Sequence, residues 1–276
     1  MTTLNNQARQ LKTAHETDVL VLPNAWDAAS AALAEHAGAT AIATTSGGVA
    51  WSLGGGDGQL MARQDMVMTA QRIIDAVNVP VTVDIEGGYG PEPEEVATTV
   101  REVIAAGAAG INLEDSVPTG GRLFSVADQV RRLRAARNAA VSENVPDLVI
   151  NARCDVFLGD TGSASERLSR ARERAEAYVG AEADCFFTPG LVDLEVLHEL
   201  ASSIELPVNV MALPGGPTVQ EFARAGARRV SIGTGLAQVA FGAARDAMAR
   251  FLDHGEFEQD ESLMELADLQ GLFVRQ

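Results

Sequence analysis

Eight short apolar runs alternate with longer helical stretches along this chain, and that alternation constrains its fold more than any other feature. The runs are VLVLP (19–23), AIATT (41–45), VTVDIE (81–86), GINLE (110–114), LVINAR (148–153), DCFFT (184–188), PVNV (207–210) and RVSIG (229–233). Helical patterns follow at Trp26–Ala37, Gln64–Val77, Pro93–Ala106, Val126–Val141, Ser163–Val179, Asp193–Ser203, Thr218–Ala225 and Leu236–Leu252. A polar helix over residues 2–16 precedes the first run. Parallel strands need a crossover long enough to hold a helix, so strand–helix repetition implies a parallel sheet. Gly38, Gly107, Gly180 and Gly226 stand where helices stop. Eight units also close a barrel. The expected class is α/β: a (β/α)8 TIM-type barrel with an N-terminal helix and an extra C-terminal helix. Residues 1–276 read as a single domain, with 253–276 as the tail helix. An open doubly wound sheet is the alternative; against it, no GxGxxG joins the first strand to the first helix.

The net charge of −17 argues against nucleic acid and anionic membrane as partners. No apolar run is long enough to span a membrane. The opening MTTLNNQARQLK lacks the apolar core of a signal peptide, which predicts a cytoplasmic protein. Cys154 and Cys185 lack metal-type spacing and read as buried, reduced thiols. Lys12 is the sole lysine, so no strand carries a Schiff-base lysine. His15, His36, His198 and His254 lie in helical segments or the tail, which argues against Ser-His-Asp or Cys-His chemistry.

A barrel places its active site at the C-terminal ends of the strands. Asp84 and Glu86 are two residues apart on one strand and face one side. Glycines 87, 88 and 90 follow, marking a loop with unusual backbone angles or close approach to a ligand. Paired carboxylates at a buried strand end need a cation or a proton, unless they are simply solvated loop acids. Glu114 ends the next strand, and Asp57 sits in the glycine-rich loop WSLGGGDGQ. This all-oxygen set, with no His or Cys, suits Mg²⁺ or Mn²⁺. Mg²⁺ keeps several waters, so one or two of the four carboxylates suffice as direct ligands. Arg153 is either a fork for a substrate carboxylate or an ion-pair partner of Glu114 or Glu86. Ser46, Gly47 and Gly48 offer unobstructed backbone N–H groups for a carboxylate or oxyanion. Asn24 and Asp27 either cap the following helix or line the site, and Asn209 and Ser231 either line it or satisfy backbone groups inside the barrel. Tyr89 and Thr188 are candidate proton donors. In the tail, Leu263, Leu266, Leu269 and Leu272 recur every third residue, as in a helix that packs on its own domain or docks on a partner subunit.

These segments resemble the isocitrate lyase and phosphoenolpyruvate mutase superfamily. LPNAWDAASAALAEHAGATAIATTSGG resembles its opening, VDIEGGYG its metal strand, INLED its fourth strand and NARCD its fifth. PVNV with LPGGPT, then GARRVSIG, resembles its last two units, so the likeness runs from about Pro23 to Gly235. The resemblance implies an (α/β)8 barrel, often tetrameric, with a helix beyond the barrel exchanged between subunits. It implies that Asp84 binds Mg²⁺ directly, with Asp57, Glu86 and Glu114 acting largely through water. It implies that Ser46, Gly47, Gly48 and Arg153 grip an α-keto or α-hydroxy carboxylate and that Asn209 reaches the substrate's far end. The cleaving members carry a Lys-Arg-Cys-Gly-His type loop after the fourth strand. Here that region reads SVPTGGRLFSVADQ, without Cys, Lys or His.

The expected activity is Mg²⁺-dependent formation of a pyruvate-like enolate from a small keto or hydroxy acid. Carbon–carbon cleavage or decarboxylation of an oxaloacetate or substituted-malate type substrate asks least of the altered loop. Arg153, Ser46 and Tyr89 are the catalytic candidates. A carbon–phosphorus bond enzyme and a keto-acid-binding protein with little catalysis are the alternatives. A homo-oligomer, dimer or tetramer, is expected through the C-terminal helix.

Overall fold

A computed structural model describes residues 2–118, 121–158, 162–255, 257 and 263–273. Its strands form one sheet in which every pair is parallel. They are β1 (Leu20–Leu22), β2 (Asn24–Ala25), β3 (Ile42–Thr44), β4 (Val81–Asp84), β5 (Gly110–Glu114), β6 (Val149–Arg153), β7 (Cys185–Thr188), β8 (Val208–Met211) and β9 (Ala227–Ser231). β1 pairs with β9 and β2 with β3. These two segments are one strand interrupted at Pro23, which has no N–H to donate. The carbonyl of Pro23 still accepts a bond from the Ala43 N–H at 3.1 Å. The ring therefore closes at eight positions, as the eightfold alternation predicts, and the open sheet is excluded.

Side chains alternate along each strand. Val83, Ile111, Leu113, Ile150, Ala152, Val210 and Val230 are buried against the surrounding helices. Thr82, Asp84, Asn112, Asn151, Arg153, Asn209, Arg229 and Ser231 line the barrel cavity. Period-two alternation thus sorts an apolar outer face from a polar interior that rises toward the strands' C-terminal ends.

Helix α1 (Thr3–Thr17) closes the opposite end of the barrel. Asn5 Nδ2 bonds Asp147 Oδ2 at 2.8 Å, and Lys12 Nζ meets Asp184 Oδ1 at 2.7 Å. Asp147 and Asp184 lie within two residues of the starts of β6 and β7, so these contacts pin α1 across the strand starts. Among the described residues no helix is long and apolar enough to cross a membrane.

Two expectations need correction. Ser46–Ser52, absent from the expected helices and overlapping the start of the expected loop WSLGGGDGQ, is helix α3, with Gly47 and Gly48 in its first turn. The tail beyond residue 252 is not one helix: α10 (Gly235–His254) stops at Gly255, whose φ of 68° is left-handed, and α11 spans only Leu266–Gly271. Residues 256, 258–262 and 274–276 of that tail lie outside the described structure. Leu263, Leu266 and Leu269 stay exposed instead of packing on their own barrel.

Candidate active site

Asp84 ends β4, and its N–H donates to Thr44 Oγ1 at 2.8 Å. Its Oδ1 accepts from Asn112 Nδ2 (3.0 Å) and the Glu86 N–H (3.1 Å), and its Oδ2 from the Ser46 N–H (3.3 Å). The carboxylate is thus fixed by groups from three strand ends. Beyond it the chain turns sharply: Glu86 and Tyr89 adopt left-handed φ values of 50° and 59°. Such conformations cost non-glycine residues about 1 kcal/mol or more each, so surrounding bonds must enforce them. Arg132 from helix α6 (Val126–Ser142) does so, with Nη1 donating to the carbonyls of Gly90 and Pro91, each at 2.8 Å, and Nη2 to that of Gly87.

Glu86 is only 6% exposed. Its Oε2 accepts the Gln59 N–H at 2.5 Å and its Oε1 the Tyr89 hydroxyl at 3.0 Å. Burial, then the charges of Asp84 and Asp57, push the Glu86 carboxyl up to about 7. Burial and Glu86 raise the Tyr89 phenol, so its proton stays on oxygen. Tyr89 lines a small hollow behind Glu86, not the main cavity.

Arg153, at the end of β6, meets Glu114 Oε2 through Nη1 at 2.8 Å. Its Nε and Nη2 bond Asp155 Oδ1 and Oδ2 at 2.6 and 3.1 Å. Burial works against the guanidinium's charge, but Glu114 and Asp155 overrule it and raise the pKa. Burial pushes the Glu114 carboxyl above the usual carboxylate range; Arg153 opposes the shift, while Asp155, Asp84 and Glu86 add to it. Of the ion pairs open to Arg153 in the sequence, Glu114 is realised and Glu86 is not.

Sequence reasoning overlooked Asp155, although it lies two residues after Arg153 in NARCD. Its Oδ2 also accepts the Ser116 hydroxyl at 2.5 Å, and its N–H donates to Asp115 Oδ1 at 2.9 Å. Asp115 is fully buried and takes Arg174 Nη1 at 3.0 Å and the Tyr178 hydroxyl at 2.9 Å. Arg174 Nη2 then holds the Phe124 carbonyl at 2.9 Å. This chain ties Arg153 to the segment after β5. There Ser116 and Leu123 form an antiparallel bridge where cleaving relatives would present their acid loop. Residues 119 and 120 of that segment lie outside the described structure.

A cavity of about 190 Å³ opens among these groups. Ser46, Asp57, Asp84, Arg153 and Asn209 line it; Gly47, Gly48, Glu86, Tyr89 and Glu114 do not. The two glycines are required for packing. A Cβ on Gly47 would stand 2.9 Å from Thr234 Cγ2, and one on Gly48 2.7 Å from Thr45 Cγ2. Asp27 caps helix α2 (Ala28–His36) by accepting the Ser30 N–H at 2.7 Å. Asn24 does not cap it: its Oδ1 accepts the Ile232 and Gly233 N–H groups, each at 2.9 Å, and its Nδ2 donates to the Thr44 carbonyl. Thr188 is fully buried, and its hydroxyl points to the Asn209 carbonyl at 3.4 Å.

Glu114 and Asp155 therefore pair with Arg153, Asp84 adds to the charge around it, and Asp84 and Asp57 stand near Glu86. Among the described residues no three acidic, imidazole or thiol side chains stand close enough to cage an ion. Burial first, and neighbouring carboxylates after it, raise Glu86 and Glu114, so negative charge gathers here in a buried setting. An all-oxygen donor set of this looseness fits a hydrated hard cation.

The phosphoenolpyruvate phosphomutase family model matches residues 9–252. The chain belongs to this family. Among relatives, Escherichia coli 2-methylisocitrate lyase is 37% identical over 186 residues, 64% of this chain and 60% of that protein. A Burkholderia cenocepacia J2315 structure, provisionally assigned as a phosphonomutase, superposes with a TM-score of 0.83 at 38% identity, covering 92% of this chain and all of that one. Oxaloacetate acetylhydrolase in complex with oxalate superposes with a TM-score of 0.86 at 26% identity, covering 97% of this chain and 94% of that one. Phosphomutase-family proteins with these names include lyases, hydrolases and mutases, so family membership leaves the reaction to be argued from the site.

Proposed function

We propose that this chain is a Mg²⁺-dependent lyase that cleaves or decarboxylates a small α-keto or α-hydroxy dicarboxylic acid of the oxaloacetate or substituted-malate type. One observation carries the reading: Asp57, Asp84 and Arg153 wall a cavity of about 190 Å³ at the C-terminal ends of the strands, with Glu114 and Asp155 paired to Arg153. Asp84, on the cavity wall, would hold the metal directly, with Asp57, Glu86 and Glu114 reaching it through water. When bound, Mg²⁺, or Mn²⁺ in its place, supplies Lewis acidity to the substrate's keto or hydroxyl oxygen.

The chain's own residues supply the rest. The Ser46 side chain, on the cavity wall in the first turn of α3, binds the substrate carboxylate, and Gly47 and Gly48 behind it let that turn pack closely enough to hold Ser46 there. Arg153, kept charged by Glu114 and Asp155, neutralises that carboxylate. Asn209 lies deeper and reaches the substrate's far end. Tyr89 acts through Glu86 as a positioning residue. The segment 116–124 contains no Cys, Lys or His, so a thiol acid from this loop is not part of the proposal. The names of the E. coli lyase and of oxaloacetate acetylhydrolase support a small carboxylic acid substrate. Carbon–phosphorus chemistry is the second reading, favoured by the name of the family model.

The test is turnover of oxaloacetate, 2-methylisocitrate, 2,3-dimethylmalate and phosphonopyruvate with and without EDTA. Carbon–carbon cleavage that stops on chelation and returns with Mg²⁺ supports the lyase. Chelator-insensitive turnover removes the metal, and turnover of phosphonopyruvate alone selects the second reading. We also propose a homo-oligomer built through the C-terminal helices. On α10, Phe241, Met248, Phe251 and Leu252 are 42, 63, 54 and 81% exposed on one side of the helix, an apolar face of the kind that marks an interaction surface. Light scattering that finds only monomer would refute it.

A further inference from the structure

Below the carboxylates, the cavity continues into the barrel and ends on Arg229. Arg229 sits on β9 in register with Asn209 on β8, and is 2% exposed. A guanidinium cannot shed its charge in a protein. Burying one without a counter-charge costs several kcal/mol. Arg153 has two carboxylates, but Arg229 forms no ion pair among the described residues. Its Nε and Nη1 have no hydrogen-bond partner.

The walls around it repeat the deficit. Asn209 Nδ2, Thr82 Oγ1 and Asn151 Oδ1 are also buried without partners, and all three residues line this cavity. The amide orientations are set from above: Asn112 Nδ2 donates to Asp84, so its Oδ1 accepts from Asn151 Nδ2 at 3.0 Å. That leaves Asn151 Oδ1 as an acceptor without a donor, and on the α1 side of Arg229 the neutral His15 Nε2 is likewise buried without a partner. Buried polar atoms without partners are rare in native folds, and five of them on the wall of one cavity mark a place that a ligand completes. A neutral imidazole and an amide oxygen can accept from Arg229 but bring no negative charge, so the group still missing is an acceptor with negative charge.

We propose that the lower half of the cavity is a carboxylate subsite, with Arg229 as counter-charge and Asn209 and Thr82 as donors, which makes the substrate a dicarboxylate spanning the cavity. One carboxylate lies at Ser46 and Arg153 in the mouth, and the second lies against Arg229. This deepens the lyase reading and rests on it for the placement of the first carboxylate. Asn151 Oδ1 accepts from water or from a substrate hydroxyl. A phosphonate would bring a bulkier dianion, whereas a planar carboxylate suits a single guanidinium.

The test is calorimetric binding of succinate, butyrate and chloride to the full-length protein, with EDTA and again with Mg²⁺, at constant ionic strength. Wild type, Arg229→Met and Arg229→Lys are compared. Wild type is expected to bind succinate more tightly than butyrate. Arg229→Met should weaken succinate about 10- to 100-fold, the value of one charge-assisted bond, and leave butyrate unchanged. Arg229→Lys should recover part of the loss. Because the charge in the unliganded protein is unpaired, Arg229→Met should melt no lower than wild type. Equal succinate affinity in wild type and Arg229→Met overturns the proposal. So does chloride competing as well as succinate, which would make the occupant a free anion. A lower melting temperature for Arg229→Met and Arg229→Lys alike would also overturn it, by showing that the guanidinium has a structural partner. Dicarboxylate binding through Arg229 without turnover of any acid keeps this inference and removes the lyase. Turnover of acids that is indifferent to Arg229 does the reverse.

Discussion

Replacing Asp115 by Asn tests how the site is held. Asp115 is fully buried and accepts from Arg174, Tyr178 and the Asp155 N–H. Burial raises its carboxyl despite the opposing charge of Arg174, so desolvation is the larger influence on the group. A pair of that kind adds little net stability when intact but is costly to break. Asp115→Asn keeps the shape, removes the charge and turns an amide donor toward other donors. Stranding the Arg174 charge costs about 3–5 kcal/mol. For a domain of this size that lowers Tm by roughly 6–20 °C. Arg174→Met alone strands the Asp115 carboxylate and should cost a similar amount. The double variant should cost less than the sum of the two by about 2 kcal/mol, because neither charge is then left alone. Equilibrium urea unfolding of the four proteins measures the cycle. A loss below about 1 kcal/mol for Asp115→Asn, or strict additivity, would refute the view that this pair clamps Asp155 and, through it, Arg153.

Three further outcomes are expected. His15 is buried on α1, and burial first, then Arg229, lower its pKa from 6.5 to about 4. The unfolded chain therefore takes up this proton first as pH falls, so the contribution is whole above 6.5 and is lost between 6.5 and about 4, by up to ~3 kcal/mol. His15→Gln should remove that segment from the pH–stability curve measured by urea unfolding; an unchanged curve would refute it. Gly48→Ala places a methyl 2.8 Å from Trp26 Cβ. It should cost about 1–3 kcal/mol by overpacking and lower ligand affinity by shifting α3, read by denaturation and calorimetry. Asn24→Ala leaves the Ile232 and Gly233 N–H groups without their acceptor. About 2–3 kcal/mol should be lost, and amide exchange at both N–H groups should speed up.

The barrel was legible in the linear order of residues because its signals are local. Period-two apolar runs, helical spacing and glycine stops each act within a few residues, and their eightfold repetition favoured a barrel over the open sheet that the strand pairing then excluded. The acids at the strand ends were legible for the same reason: Asp84, Glu114 and Arg153 stand at the end of their runs. What escaped depended on long-range pairing. SGGVAWS was not among the helical patterns: its glycines carry no apolar periodicity, and the helix is fixed by packing against Trp26 and Thr234. Arg132 belongs to α6 in sequence, yet it holds carbonyls some forty residues earlier in the chain. Asp155 and Arg229 show the division most plainly. Each is an ordinary charged residue in its own segment, and neither has a local signature of role. Only the closed ring brings Asp115 and Ser116 onto Asp155, fixing it against its near neighbour Arg153, and leaves Arg229 without a carboxylate inside the barrel. The order of residues decides which side of a strand a charge faces, whereas its partner is decided by which strands become neighbours.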